Sequence, residues 1–334
     1  MAKQPTIERS ENYGYYSDLL WCAVPLTGMA WYYYGLRPVL LMLAALVTAY
    51  LCDCALAPLH GEGYRAHEPS SECFAALIVL LMPASVSYGI VIVAVIAAVL
   101  VKEAFGGEGH YPFHPAAVGA AIAGVSWPEH VYYYPAPGTQ LPIWGEINDN
   151  LVQGMNETLR SGGLPSASTM NLLTGNVSAG IGTGAALVIL ACGLVLWTQK
   201  DVHIGASASF LITCGLIAFF FPRQVGLADS TLFSSLMPRL QGIRDELHTG
   251  AMLFCAVFLL NEPYTCAHHR LGRILYGALV GIATMGFRYF GVYETGVCFA
   301  LLAVNSVSAL IDRTEERLYR LLHRLPSERK EAAE

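Results

Sequence analysis

The stretch Leu164-Pro165-Ser166-Ala167-Ser168-Thr169-Met170-Asn171 places a threonine behind small residues and a proline, inside a long polar connection. Such a backbone offers the Thr169 hydroxyl to a modifying transferase, and it also has the composition of any Ser/Thr-rich loop. A second group, Asn261-Glu262-Pro263-Tyr264-Thr265, gathers the oxygens of Asn261, Glu262 and Thr265 at a Pro-marked break. That suits a hard cation or the polar edge of a cofactor, and equally a turn cap. Asp53, between Cys52 and Cys54 in an apolar segment, reads as part of an ion path or as an interfacial acid. An ionised side chain at mid-helix costs about 2.5–3.5 kcal/mol on insertion scales unless it is paired or wet. Glu68, Lys102, His114, His248 and Arg288 also border apolar runs, where snorkelling to the interface is the expectation. His268-His269 reads as a solvated loop pair. Most of the nine cysteines lie inside apolar segments as small packing residues, and Cys52-x-Cys54 is too close for the usual zinc spacing.

These groups need a frame, and composition says which. Of 334 residues, 54% are hydrophobic and 13% charged, against about 25% charged in soluble domains. The apolar surface calls for a bilayer, and the modest, unclustered net charge of −6 argues against nucleic acid. The fold class expected is an all-α polytopic membrane protein. Ten candidate spans emerge: 19–35, 38–57, 72–83, 86–102, 114–127, 180–198, 204–221, 248–260, 274–290 and 296–311. The third and eighth are short and end at Pro83 and Pro263. Short broken spans at matching places in two halves point to a site near the midplane, and unrelated tilted helices would look the same.

The organisation expected is therefore an N-terminal segment 1–16, a five-helix half 17–127, a loop 128–179, a second five-helix half 180–311 and a basic tail 312–334. The N-terminus lacks the pattern of a cleaved signal peptide. With the N-terminus inside, inward segments hold thirteen Lys and Arg and outward ones six, so both termini face the cytoplasm and the Thr169 loop faces out. Leucines at helical spacing among arginines in 314–324 read as a short amphipathic helix on the membrane face or against a partner. Asn156 and Asn176 lie in sequons that carry no information without a compartment.

Four stretches resemble the D subunit of the Rnf electron-transport complex, a relative of the B subunit of the sodium-pumping NADH:quinone reductase. Phe105-Gly106-Gly107-Glu108-Gly109-His110-Tyr111-Pro112-Phe113-His114-Pro115-Ala116-Ala117-Val118-Gly119 is similar to the family's glycine-rich turn and N-P-A-x-V-G helix start, with His114 replacing asparagine. The threonine loop, continuing through Leu173-Thr174-Gly175-Asn176 to Gly180-Ile181-Gly182, resembles the family's approach to its sixth span. Asn261-Glu262-Pro263-Tyr264-Thr265 is similar to a T-D-P-x-T turn. The run from Gly291 to Asp312 looks like the closing span. The short N-terminal extension favours the Rnf branch.

The resemblance implies FMN joined through its phosphate to a threonine of an S-G-A-T-like motif, by a separate flavin transferase using FAD and a divalent metal. Here the motif reads Ser166-Ala167-Ser168-Thr169, which makes Thr169 the attachment residue, with Ser166, Asn176, Glu262 and Thr265 as further cofactor-site candidates. Gly162, Gly163 and Leu164 stand where the family often has an acid, and Thr183 where it has glutamate. A second, non-covalent flavin fits the same resemblance. Its partners would be the small flavin-bearing, iron–sulfur, NAD-binding and membrane subunits of such a complex. No G-x-G-x-x-G follows a strand, so NAD chemistry would belong to a partner chain. The implied function is a ferredoxin:NAD⁺-type, ion-translocating oxidoreductase subunit moving Na⁺ or H⁺, with Asp53 and Glu262 as the possible ion path. Other classes remain open: a quinone-reductase subunit, a flavin-free channel or secondary transporter, and a scaffold that has lost its flavin.

Overall fold

A computed structural model describes residues 9–57, 69–107, 109–145, 147, 151–163, 167–223, 236–291 and 293–331, with side chains mainly from 14 to 315. Helices α1 (Arg9–Tyr34), α2 (Arg37–Leu56), α3 (Ser70–Leu81), α4 (Tyr88–Ala104) and α5 (Pro115–Ser126) come first. A connection follows with α6 (Pro128–Val131), β1 (Tyr133–Pro135), β2 (Leu151–Gln153), α7 (Met155–Arg160) and α8 (Thr169–Thr174). The two strands pair antiparallel, Tyr134 opposite Val152. Then come α9 (Ala186–Gln199), α10 (Ile204–Phe220), α11 (Leu236–His248), α12 (Met252–Phe254) continuing as a π-helix over Cys255–Leu259, α13 (Arg270–Phe290) and α14 (Gly296–Glu331).

This is a membrane protein built on apolar helices. Arg37–Leu56 and Gly296–Glu315 are long and apolar enough to cross a bilayer, and only 22% of the first window is buried. Twenty residues of helix reach about 30 Å, the thickness of the hydrocarbon core. Trp21, Leu43, Leu51, Leu187, Leu194 and Ile212 are each more than half exposed, an apolar belt that water would not tolerate. Helix α3 is the opposite case: eleven of its twelve residues are buried. It sits between α1, α2, α4 and α5, while α10, α13 and α14 pack together on the other side, and α1–α9 and α5–α14 contacts join the two sets.

Helix α3 stops where Pro83 forbids helical geometry to Met82, whose ψ is 157°. Its last carbonyls do not go unpaired. Ile181 N donates to Met82 O at 2.9 Å and Gly182 N to Leu80 O at 2.7 Å. A Cβ on Gly180 would stand 2.8 Å from Leu81 O, and one on Gly182 2.7 Å from Leu80 Cβ. The glycines that resembled a family signature thus let one backbone cap the end of another. They also correct the expected span at 180–198. Residues 180–185 are turn, spent on α3, and the helix begins at Ala186.

Three further expectations change. The tail is not a separate helix: with no Gly or Pro between Val297 and Leu325, α14 runs on to Glu331. The loop 128–179 is not the one long polar connection, because α11 lies in another, between α10 and α12. And Lys102, His114 and Arg288 do not snorkel. Lys102 is buried and donates to Ser70 Oγ (3.0 Å) and Ser71 Oγ (2.7 Å). His114 is fully buried edge-on to Phe74. Arg288 is fully buried, donating to Glu246 Oε2 (2.8 Å) and to Thr249 Oγ1 (2.6 Å) and O (2.8 Å). Protein oxygens thus hold Lys102 and Arg288 inside, while among the described residues neither ring nitrogen of His114 finds a hydrogen-bond partner. Glu68 lies outside the described residues.

Candidate functional site

The polar chemistry divides between the two ends of the helix bundle. One end, called here the loop end, carries α6–α8, α11 and the turn before α14. The other, the terminal end, carries residues 200–203, 261–269 and 312. Helix α9 joins them, its fourteen residues spanning about 21 Å, with Asp201 just after its last turn.

At the loop end, Ser168 Oγ accepts from Asn171 N at 3.2 Å and caps α8. The cap holds Thr169 at the first helical position, exposed. Its Oγ1 accepts from Arg244 Nη1 of α11 at 2.8 Å. Arg244 in turn is fixed by Asp245, whose Oδ1 takes Nε at 2.8 Å and Nη2 at 2.6 Å. Burial pushes the Asp245 carboxyl up, against the pull of Arg244. His248 Nδ1 meets Arg244 O at 2.8 Å. Asn176 is exposed in the turn after α8, its amide bonded to Asn171 O at 3.0 Å. Ser166 lies outside the described residues. Sequence reasoning missed Arg244, and the Arg/Asp/Glu-rich run 239–246 was the signal for a polar helix there.

Behind this site a buried ion network holds α11 in place. Arg223 donates Nε to Glu246 Oε1 at 2.6 Å, Nη1 to Arg288 O at 3.0 Å and Nη2 to Asn156 Oδ1 at 2.9 Å. Asn156 is 3% exposed, so its sequon is not open to glycosylation. Its amide donates to Glu294 Oε1 at 3.1 Å. Burial drives the Glu294 carboxyl up to about 7, against Arg288 and the Asn156 amide. The ordinary value is 4.5, so between pH 4.5 and 7 the folded chain keeps a proton the unfolded chain has lost. Stability therefore falls as pH rises through that window, by up to about 1.4 kcal/mol per unit. Glu294→Gln stays neutral and is expected to melt with wild type near pH 4.5 but at a higher temperature at pH 8. Thermal unfolding at both pH values checks this, and coincident melting at pH 8 disproves it.

At the terminal end, Asn261 Oδ1 accepts from His203 N (2.9 Å), while Nδ2 donates to Ala256 O (3.1 Å), Val257 O (3.3 Å) and Ser207 Oγ (3.0 Å). It caps the carbonyls the π-helix leaves over. Glu262, 1% exposed, accepts from Tyr264 N (3.0 Å) and Thr265 N (2.7 Å) on one oxygen. On the other it accepts from Tyr111 (2.6 Å) and Tyr16 (3.1 Å). Four donors fill the acceptor sites of a carboxylate. Thr265 is buried beside it, 1% exposed. Asp53 belongs to another cluster, accepting from Ser71 Oγ at 2.9 Å, which in turn takes Lys102. The structure thus brings Thr169 to Arg244, and sets Glu262 and Thr265 at the opposite end of α9.

Residues 1–320 match the model of the NQR2, RnfD, RnfE family. The chain belongs to that family. Among its relatives is the D subunit of an ion-translocating oxidoreductase complex from Klebsiella pneumoniae, 27% identical over 90% of this chain and 93% of that protein. Proteins of the same name from Escherichia coli (28% identical, 90% and 92% covered) and Colwellia psychrerythraea (26%, 90% and 92%) match equally far. The NQR2, RnfD, RnfE match thus takes in both ends of the bundle and every residue of the two clusters.

Proposed function

We propose that this chain is a membrane subunit of a redox-driven, ion-translocating oxidoreductase complex of the ferredoxin:NAD⁺ type, with FMN esterified to Thr169 as an electron relay. Relatives named as the D subunit of an ion-translocating oxidoreductase complex, over nine-tenths of the chain, support the first part. The flavin reading rests on one contact, the exposed Thr169 hydroxyl 2.8 Å from the Arg244 guanidinium. A phosphodiester on that oxygen would carry one negative charge directly beneath a planar cation, the pairing a guanidinium favours. The donor set therefore fits the group.

Attachment balances as a group transfer. The Thr169 oxygen attacks the riboflavin-side phosphorus of FAD, the pyrophosphate bond breaks, AMP leaves, and the hydroxyl proton passes to a base on the transferase. Bound there, the flavin would supply one- and two-electron chemistry, while this chain fixes its depth and shields its charge. NAD would react on a partner chain.

Ten passes are the reading that best fits the alternation of ends: α1 to α5, α9, α10, α12 with its π-helix, α13 and α14. The excess of Lys and Arg at the terminal end assigns that end to the cytoplasm and the loop end to the outside. Asp53 and Glu262 then both lie toward the cytoplasm, on the side from which Na⁺ or H⁺ would be taken up.

Intact mass of the chain expressed with a flavin transferase tests the proposal: an added mass of one FMN less water is expected, and the bare polypeptide mass refutes it. A colourless chain that catalysed uptake in liposomes would point to a transporter instead. Arg244→Ala is expected to lower the flavin-to-protein ratio about threefold to tenfold under limiting transferase, as a charge-assisted hydrogen bond of a part-exposed group would. Absorbance of the purified chain reads that ratio, and full loading would remove Arg244 from the site.

A further inference from the structure

At the terminal end a cavity of about 330 Å³ opens between α1, the turn after α9 and the turn before α13. That is the size of a small-molecule site, about 300–1,000 Å³. Among the residues that line it, Lys200 and Arg273 bring two fixed positive charges and Asp201 one negative. His268 is engaged with Asp312, its Nδ1 3.0 Å from Oδ2. Burial and Arg273 hold the His203 imidazole down to about 4, so it is neutral near pH 7. The lining keeps an excess of one positive charge, and its complement is a monoanion.

The donors such an anion needs are not spent within the protein. Arg273 uses Nε on Ala267 O at 3.0 Å, and among the described residues its two terminal nitrogens have no acceptor. Lys200 is exposed on the left-handed turn that ends α9 (φ 72°). The Tyr15 hydroxyl, on a side chain only 4% exposed, has no hydrogen-bond partner among the described residues. A buried hydroxyl left unpaired is costly, and a ligand in the cavity would pair it. Helix α10 starts just beyond His203 with no side-chain cap, so its positive end adds to the same field.

The place of the cavity decides the kind of monoanion. Trp197, Ile204, Leu271 and Ile274 flank the charged residues along the chain and are 46–61% exposed. Those faces belong in hydrocarbon, which sets Lys200 and Arg273 at the depth of lipid headgroups. A soluble anion would gain nothing from the apolar rim, whereas a phospholipid would lay its chains on it. A phosphodiester carries one negative charge and suits the two cations. Asp201 calls for a donor on the same ligand, and a glycerol head supplies hydroxyls that both give and accept.

We propose that this cavity is the headgroup site for one monoanionic, hydroxyl-bearing phospholipid, phosphatidylglycerol by its chemistry, with the phosphate between Lys200 and Arg273 and the glycerol hydroxyls at Asp201 and Tyr15. The site goes beyond the function proposed above and needs neither flavin nor ion transport, so loss of the Thr169 assignment would leave it standing.

The test is native mass spectrometry of the purified, delipidated, full-length chain titrated with defined lipids. One phosphatidylglycerol per chain is expected to bind about tenfold tighter than phosphatidylcholine, which has the phosphate but no donor for Asp201. Lys200→Gln and Arg273→Gln are each expected to weaken that lipid about fivefold to tenfold, and Tyr15→Phe to narrow its advantage over phosphatidylcholine. Arg160→Gln, at the loop end, should bind as wild type does. Equal retention of phosphatidylcholine overturns the proposal, and so does phosphatidylglycerol binding that neither glutamine variant changes. Displacement of the lipid by inorganic phosphate or glycerol phosphate would mark a site for a soluble anion and overturn it too. Should Arg273→Gln fail to fold, the exposed Lys200 decides the matter alone.

Discussion

Thr169→Ala is expected to abolish covalent flavin outright, giving a chain of unmodified mass and no fluorescent band after denaturing electrophoresis. The neighbouring hydroxyls are poor substitutes. Ser168 Oγ is occupied as the cap of α8, accepting from Asn171 N, and Thr174 Oγ1 donates to Met170 O at 2.9 Å. Thr169 itself is exposed, and its hydroxyl takes the bond from Arg244. Removing an exposed hydroxyl shifts stability within about 0.5 kcal/mol, so lost flavin could not be blamed on unfolding. Thr169→Ser keeps the nucleophilic oxygen and is expected to restore loading in part. Covalent flavin that persisted in the alanine variant would move the attachment to another residue and with it the role of Arg244.

The apolar helices could be read from composition, and the stop of α3 from Pro83, because both are local properties of the chain. Contacts between distant segments could not. Nothing in the run Gly180-Ile181-Gly182 says that its amides will close the carbonyls of Leu80 and Met82, a hundred residues earlier. Read alone, those glycines pass as the start of an apolar span. Lys102 and Arg288 tell the same story. Beside a bilayer a long cation is expected to reach for water, and only the fold reveals Ser70, Ser71, Glu246 and Thr249 waiting within hydrogen-bond reach. The Thr169 motif could be singled out because it is contiguous. Arg244, 75 positions away, could not, though it donates to the Thr169 hydroxyl at 2.8 Å. Glu262 was legible as a turn residue from its Pro263, whereas its two tyrosine donors come from α1 and the turn before α5.

Arg288→Ala is expected to cost about 3–5 kcal/mol, the range for breaking a buried ion pair from one side. Glu246 would keep Arg223, but its Oε2 and both Thr249 oxygens would lose their donor in a site almost closed to water. Arg160→Ala is the contrast: its pair with Glu157 at 2.7 Å is about one-third exposed on both sides, so a change under about 1 kcal/mol is expected. Chemical or thermal unfolding in one detergent compares the two, and near-equal effects would mean that the network is not closed to solvent. The network also reaches Thr169, the proposed attachment residue. Glu246 is next to Asp245, which orients Arg244 on Thr169, so loosening α11 should lower flavin loading in Arg288→Ala and leave it intact in Arg160→Ala. A destabilised but fully loaded Arg288→Ala would show that the transferase reads the α8 segment alone, and that Arg244 settles on the phosphate only after it has been attached.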